Sequence, residues 1–272
     1  YQVYKQLNIG TAKPTTDELA AVPHHLINIL EPDDDYSVSI FQQQAKSLIN
    51  QLNDNHVVPI LSGGTGLYVQ SLLENYNFND IKPNTKLRIE LDELYTEYGI
   101  NGLREYAQNL AEKGGIEIKY TDKHRLYRAI ELMTAGDYKS LIKQTKEGLS
   151  YKGPVIGLQR ERSDLYNRIN RRVEIMFEKG LVDEVKQLLK SGVNPNCQAF
   201  KGIGYKEVVQ YLEGLISYDA CVDLIQKNTR HFAKRQITWY KRMPYIEWIT
   251  IDSQTTEAEI YGMACNIIDS SF

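Results

Sequence analysis

The run Val57-Val58-Pro59-Ile60-Leu61-Ser62-Gly63-Gly64-Thr65-Gly66-Leu67-Tyr68-Val69-Gln70-Ser71-Leu72-Leu73 constrains this chain more than any other stretch. An apolar segment breaks into three glycines around one threonine, then resumes with Leu67, Leu72 and Leu73 at helical spacing. The pattern predicts a buried strand, a tight loop and a helix. Such a unit binds phosphate in α/β proteins. Its glycines let backbone N–H groups converge on an anion, the helix start adds its positive dipole end, and Thr65 offers a hydroxyl. It is not a Walker loop, because no G-x-x-x-x-G-K-[ST] occurs and no lysine follows these glycines. Glycines at these places also suit a plain strand-to-helix turn, and the loop by itself leaves both readings open.

The flanking segments set the class. Thr16 to Ala21 reads as a short helix stopped by Pro23, His25 to Ile29 as a strand, and Ser39 to Asn53 as an amphipathic helix with Ser39 as its N-cap. With the glycine unit this gives a βαβα rhythm, which implies a parallel sheet covered by helices. After Leu73 the composition changes to charged, helix-forming segments at 86–98, 103–113, 123–133 and 138–146, entered by a loop at 79–84. Pro154 to Leu158 returns to the sheet, Ile246 to Ile251 is a last strand, and Ala258 to Ile268 a closing helix. The expected organisation is an α/β core of residues 1–78 and 150–272 with a helical insertion at 79–149.

Composition narrows the function classes. No apolar run approaches a membrane span and no basic, apolar leader is present. Cys197, Cys221 and Cys265 are too scattered for a disulfide framework or a metal site, so a cytoplasmic protein without a protein-held metal is expected. His24 and His25, adjacent on a strand, point to opposite faces and cannot easily share an ion. The net charge of −3 gives no general affinity for nucleic acid, so any RNA claim rests on local clusters.

Three such clusters exist. Arg160, Arg162, Arg168, Arg171 and Arg172 fall within one short segment that also carries Leu165, Ile169, Val173 and Met176 on a helical apolar stripe. Arg168 and Arg172 stand one turn apart, and two guanidiniums on one face suit a diphosphate or RNA phosphates. A solvated face balanced by Glu161, Asp164 and Glu174 is the alternative. Gln198 to Glu207 is a second glycine-punctuated loop opening a helix, with Lys201, Tyr205 and Lys206 placed to meet phosphate and base. The helix 219–241 carries Lys227, Arg230, Lys234, Arg235 and Lys241 with Phe232 and Trp239 between them.

Taken together these pieces resemble the tRNA dimethylallyltransferase family. The similarity runs through Gln2-Val3-Tyr4, Ile9-Gly10-Thr11-Ala12-Lys13-Pro14, Val22-Pro23-His24-His25-Leu26, Gly63-Gly64-Thr65-Gly66-Leu67-Tyr68, Arg125 with Arg128, Arg162/Arg168/Arg172, Gly202-Ile203-Gly204-Tyr205, and Ala233-Lys234-Arg235-Gln236 with Trp239. The resemblance implies a P-loop-NTPase-like, nucleotide-binding core and an insertion that grips the anticodon stem. It further implies that N6 of adenosine attacks C1 of dimethylallyl diphosphate and expels diphosphate, with Mg2+ assisting. By residue match, Gln2 contacts the target adenine and Thr65 the tRNA beside it. Arg88, His124, Arg125, Leu126, Tyr127 and Arg128 are tRNA contacts of the insertion, with Lys201, Gly202, Gly204, Tyr205, Lys234 and Arg235 as further RNA contacts. Thr65, Arg168 and Arg172 are the catalytic set, the two arginines taking the diphosphate. The family's phosphate loop and its general-base aspartate are expected before Tyr1, where this sequence starts. Glu117 to Asp122 departs from the family's usual His-Pro-Asn turn. A monomer is expected.

Three other readings compete. A prenyltransferase acting on free adenine nucleotide is disfavoured by the insertion, since a mononucleotide needs no clamp. A nucleotide kinase with a lid is disfavoured by the lysine-free glycine loop. A non-catalytic RNA-binding module shares the same basic clusters.

Overall fold

The computed structural model describes residues 1–78, 81–141 and 149–271. The chain divides into two compact units, Tyr1–Val69 with Tyr151–Phe272, and Gln70–Ser150. No helix among the described residues is long and apolar enough to cross a membrane.

In the first unit, α1 (Thr16–Ala21) is short and closed by a capping box of Thr15 and Glu18. Helix α2 (Val38–Asp54) follows, and α3 (Gly66–Leu73) begins at the glycine loop, its residues from Gln70 on belonging to the second unit. The N-cap of α2 is Ser37 rather than the expected Ser39, because Ser37 Oγ is the oxygen that reaches Ile40 N, at 3.2 Å.

The C-terminal part of this unit begins with β1 (Val155–Arg160) and continues through α6 (Arg162–Glu178), α7 (Leu181–Lys190), α8 (Tyr205–Leu212) and α9 (Tyr218–Tyr240) to β2 (Ile246–Ile251) and α10 (Glu257–Ser271). β1 and β2 pair in parallel from Val155↔Ile246 to Arg160↔Ile251. Parallel strands need a long crossover, and α6 to α9 supply it. Gly157 is required in that ladder, since a Cβ there would lie 2.7 Å from Ile246 and 2.8 Å from the Trp248 ring. The core is built by α7, whose Leu181, Val185 and Leu188 recur at helical spacing and are buried, against Phe200, Tyr205 and Val208 and against Tyr4, Leu7 and Tyr36. Each such side chain contributes about 1.5–3 kcal/mol of transfer free energy.

Two expected strands do not form. Val57 to Leu61 is irregular and solvent-facing, with Val58 82% and Ile60 89% exposed. A strand exists only through ladder partners, and among the described residues this run has none. His25 to Ile29 fails for a local reason: Leu26 and Asn28 adopt φ of 61° and 55°, which breaks an extended run. Only Leu30 makes an isolated parallel bridge, to Tyr4. The helix-rich α/β class with parallel pairing stands.

In the second unit, α4 (Thr85–Lys113) and α5 (Lys123–Thr134) share a core of Leu87, Leu91, Leu103, Ala107, Leu126, Ala129 and Ile130. Between the two expected helices at 86–98 and 103–113, α4 bends at Gly99 (φ 64°, ψ −157°), a conformation that favours glycine. Asp122 caps α5, accepting from Arg125 N at 3.1 Å. The expected helix at 138–146 is described only as a 3₁₀ turn over Lys139–Leu141, and its residues 142–148 lie outside the described residues, as do Asn79 and Asp80 of the expected loop.

Candidate active site

The glycine loop is set by α9. Gln236 Nε2 donates to the Gly64 carbonyl at 2.7 Å. A Cβ on Gly66 would lie 2.5 Å from the Trp239 ring, so the indole lies directly against that backbone. Between these two contacts Thr65 is exposed, and its carbonyl accepts from Tyr68 N and Val69 N to start α3. The loop therefore presents a hydroxyl on a backbone held from one side by a long helix.

A second loop, residues 8–13, holds Gln2. Gln2 Nε2 donates to the carbonyls of Thr11 (3.1 Å) and Ala12 (3.0 Å). Lys13 Nζ donates to the Tyr4 carbonyl and to Asn28 Oδ1, and burial lowers its pKa against the opposing pull of Glu184. The loop's own anchor is Glu184 on α7, which accepts from Asn8, Ile9 and Gly10 N–H and from the Tyr205 hydroxyl.

The five arginines at 160–172 separate into two groups. Arg160 pairs with Asp164 at 2.8 Å and donates to the Asp252 carbonyl. Arg162 reaches the Tyr166 hydroxyl, and Arg171 pairs with Glu174 at 3.0 Å. Arg168 and Arg172 are exposed and have no ion pair or hydrogen bond among the described residues. Both alternatives left open by the sequence are thus present in this segment, in which Arg160 ends β1 and the other four arginines lie on α6. Asp164 and Glu174 neutralise two guanidiniums, and Arg168 and Arg172 remain available to an anion.

The second glycine motif is largely structural. Gly204 has φ 101°, and its N–H donates to Glu207 Oε2 at 2.8 Å. Of the residues expected as RNA contacts in this segment, Gly202, Gly204 and Tyr205 are buried in the turn and the core, and Lys201 is exposed. Lys234 and Arg235 are exposed on α9, with the Arg235 guanidinium 5.9 Å from the Phe232 ring.

In the second unit, a buried carboxylate organises the arginines. Glu131, with its side chain 1% exposed, accepts from Arg88 Nε at 2.7 Å and Nη2 at 3.2 Å, Arg128 Nη1 at 3.2 Å and Asn84 N at 3.0 Å. Burial works to raise its pKa, but the Arg88 fork with Asn84 and Arg128 overcomes it and holds the carboxyl below the ordinary value. Arg128 Nη2 also holds the Ile81 carbonyl. His124 and Arg125 are exposed. Leu126 and Tyr127, expected among the tRNA contacts, are both buried. Leu126 belongs to the core, and Tyr127 is buried with its hydroxyl on Asp92 at 2.8 Å.

Sequence reading did not single out Glu184, Glu131 or the contacts of Gln236. An acidic residue inside an apolar helical stripe was the one available signal, and it is shared by many solvated positions.

A family model described as IPP transferase matches residues 2–243. The chain is 38% identical over 271 residues to the tRNA dimethylallyltransferase of Alkaliphilus metalliredigens, covering 98% of this chain and 86% of that protein. It is 41% identical over 261 residues to the tRNA dimethylallyltransferase of Carboxydothermus hydrogenoformans, covering 94% and 83%. Among solved structures, the full-length tRNA isopentenylpyrophosphate transferase of Bacillus halodurans superposes with a TM-score of 0.70 at 35% identity, over 99% of this chain and 86% of that one.

Proposed function

The chain belongs to the IPP transferase family, and from that premise we propose that it transfers a dimethylallyl group from dimethylallyl diphosphate to N6 of the adenosine immediately 3′ of the tRNA anticodon. The N6–C1 bond forms as the C1–O bond breaks, diphosphate departs, and N6 gives up a proton. One observation carries the reading: the family model matches residues 2–243, a span that contains Gln2, the Thr65 loop, the Arg168/Arg172 helix and the Lys234-Arg235 segment.

Each part of the chemistry has a group suited to it. The exocyclic amine of adenine is a weak nucleophile, so positioning and leaving-group stabilisation dominate. Arg168 and Arg172 take the diphosphate, Gln2 and Thr65 the adenosine once it has left its stack, and His124 and Arg125 the backbone of the anticodon stem. Arg88 and Arg128, tied to Glu131, shape that second surface and lend it charge. Magnesium is the expected companion of a diphosphate. No group of three His, Cys, Asp or Glu side chains suited to a metal occurs among the described residues.

Transfer of label from dimethylallyl diphosphate to an anticodon stem-loop, using the full-length protein, tests the proposal. Incorporation at N6 supports it. Bound RNA without incorporation would leave a binding module.

A further inference from the structure

The loop that holds Gln2 is itself held by one carboxylate. Glu184 accepts from three consecutive backbone N–H groups, with Asn8 at 3.0 Å, Ile9 at 2.9 and 3.2 Å and Gly10 at 3.4 Å, and from the Tyr205 hydroxyl at 2.6 Å. Successive N–H groups turned to one point form an anion nest. In this molecule the nest is filled by the protein's own side chain, from a residue far along the sequence.

Resting on the reading above, we infer that Glu184 is a positioning residue for adenosine selection, acting through loop 8–12 on the side-chain amide of Gln2. The route is continuous in the structure. Glu184 fixes the N–H side of the loop at Asn8, Ile9 and Gly10, and the next two residues, Thr11 and Ala12, turn their carbonyls to Gln2 Nε2. An amide nitrogen committed to two carbonyls leaves Gln2 Oε1 as the atom facing a ligand, and that atom only accepts. It matches a base that presents an amine at the reacting position and repels one that presents a carbonyl oxygen there.

Two features make the anchor rigid. Tyr205 is buried, and burial together with the neighbouring Glu184 raises its hydroxyl pKa far enough to keep it a donor. Gly10 lies so close that a Cβ would sit 2.4 Å from the Tyr205 ring, leaving the loop no room for a side chain at that point. With Glu184 replaced by glutamine, an N–H group competes for the nest, the three backbone donors lose their carboxylate, and the carbonyls of Thr11 and Ala12 no longer hold the Gln2 amide in one orientation.

The test compares two anticodon stem-loops that differ only at the target position, one with adenosine and one with inosine, which carries an oxygen in place of the amine. Affinities for both RNAs are measured for the full-length wild type, Glu184→Gln and Gly10→Ala, together with the transfer rate and the KM for dimethylallyl diphosphate on the adenosine RNA, since inosine has no amine to prenylate. The preference is read as the ratio of affinities. The wild type is expected to prefer adenosine RNA by roughly tenfold or more. Both variants should bring that ratio to about twofold or less, with KM for dimethylallyl diphosphate unchanged, which general loss of structure would not do. A folded Glu184→Gln protein that keeps the wild-type ratio overturns the inference, and adenosine prenylation by the wild type would then leave the functional reading intact. A wild type that binds both RNAs equally removes the role of Gln2 and the inference with it. Should Glu184→Gln fail to fold, the Gly10→Ala ratio decides the matter from the loop side of the same contact.

Discussion

Gln236 donates its side-chain amide to the carbonyl of Gly64, so the loop that presents Thr65 is positioned by a helix far along the sequence. A neutral hydrogen bond of this kind contributes about 0.5–1.5 kcal/mol. Gln236→Leu is therefore expected to lower kcat about two- to tenfold while the protein stays folded. Single-turnover transfer checks it, and an unchanged rate would mean that Thr65 does not depend on this contact.

The neighbouring glycines should respond unequally. A Cβ on Gly64 meets the movable end of Gln236 at 2.3 Å, whereas one on Gly66 meets the Trp239 ring at 2.5 Å. The amide can swing aside and the indole cannot, so Gly66→Ala should destabilise by about 1–3 kcal/mol more than Gly64→Ala. Denaturant midpoints of the two variants measure the difference.

Arg168 and Arg172 lack protein partners among the described residues, and Arg171 is paired with Glu174. Charge-assisted hydrogen bonds contribute about 1.5–3 kcal/mol, so Arg168→Ala or Arg172→Ala should raise KM for dimethylallyl diphosphate roughly ten- to a hundredfold. Arg171→Ala, removing an exposed pair, should change it less than about threefold. Equal effects at all three positions would mean that the helix acts only through its net charge.

Glu131 makes the second unit sensitive to acid. Its folded pKa is lowered from the ordinary 4.5, so the stability it adds is fully present above that value and is lost as pH falls through the lowered one. Glu131→Gln should flatten this acid loss. At neutral pH it should destabilise by about 1–3 kcal/mol, less than a fully buried pair, because Arg88 and Arg128 remain partly hydrated. Urea midpoints at neutral and acid pH, for wild type and variant, give both quantities.

Leu126 and Arg125 are adjacent in sequence and opposite in expected effect. Leu126→Ala removes a core side chain and should destabilise by about 2–5 kcal/mol without altering RNA affinity in the folded protein. Arg125→Ala should leave stability within about 0.5 kcal/mol and reduce the salt slope of RNA binding by about one ion. Melting curves and a salt titration separate the two.

Much of this architecture is legible in the amino-acid order. The helix at Thr16–Ala21 and the strand at Ile246–Ile251 have the bounds expected from residue type alone. The ordered motifs from Gln2 to Trp239 mark the family. Helices are legible because their hydrogen bonds close within four residues, so propensity, caps and periodicity all act locally.

The three-dimensional fold decided what depends on partners distant in sequence. Val57 to Leu61 has the composition of a strand and no ladder. Arg160, besides its local pair with Asp164, donates to the Asp252 carbonyl on the far side of the α6–β2 segment, a contact that residue spacing does not reveal. That Gly202, Gly204, Tyr205, Leu126 and Tyr127 are buried, and that Glu184 gathers the N–H groups of Asn8, Ile9 and Gly10, follows from packing between segments more than a hundred residues apart in the case of Glu184. A residue's type states which bonds it can form, and only the surrounding fold determines which of them are already satisfied within the protein and which remain for a ligand.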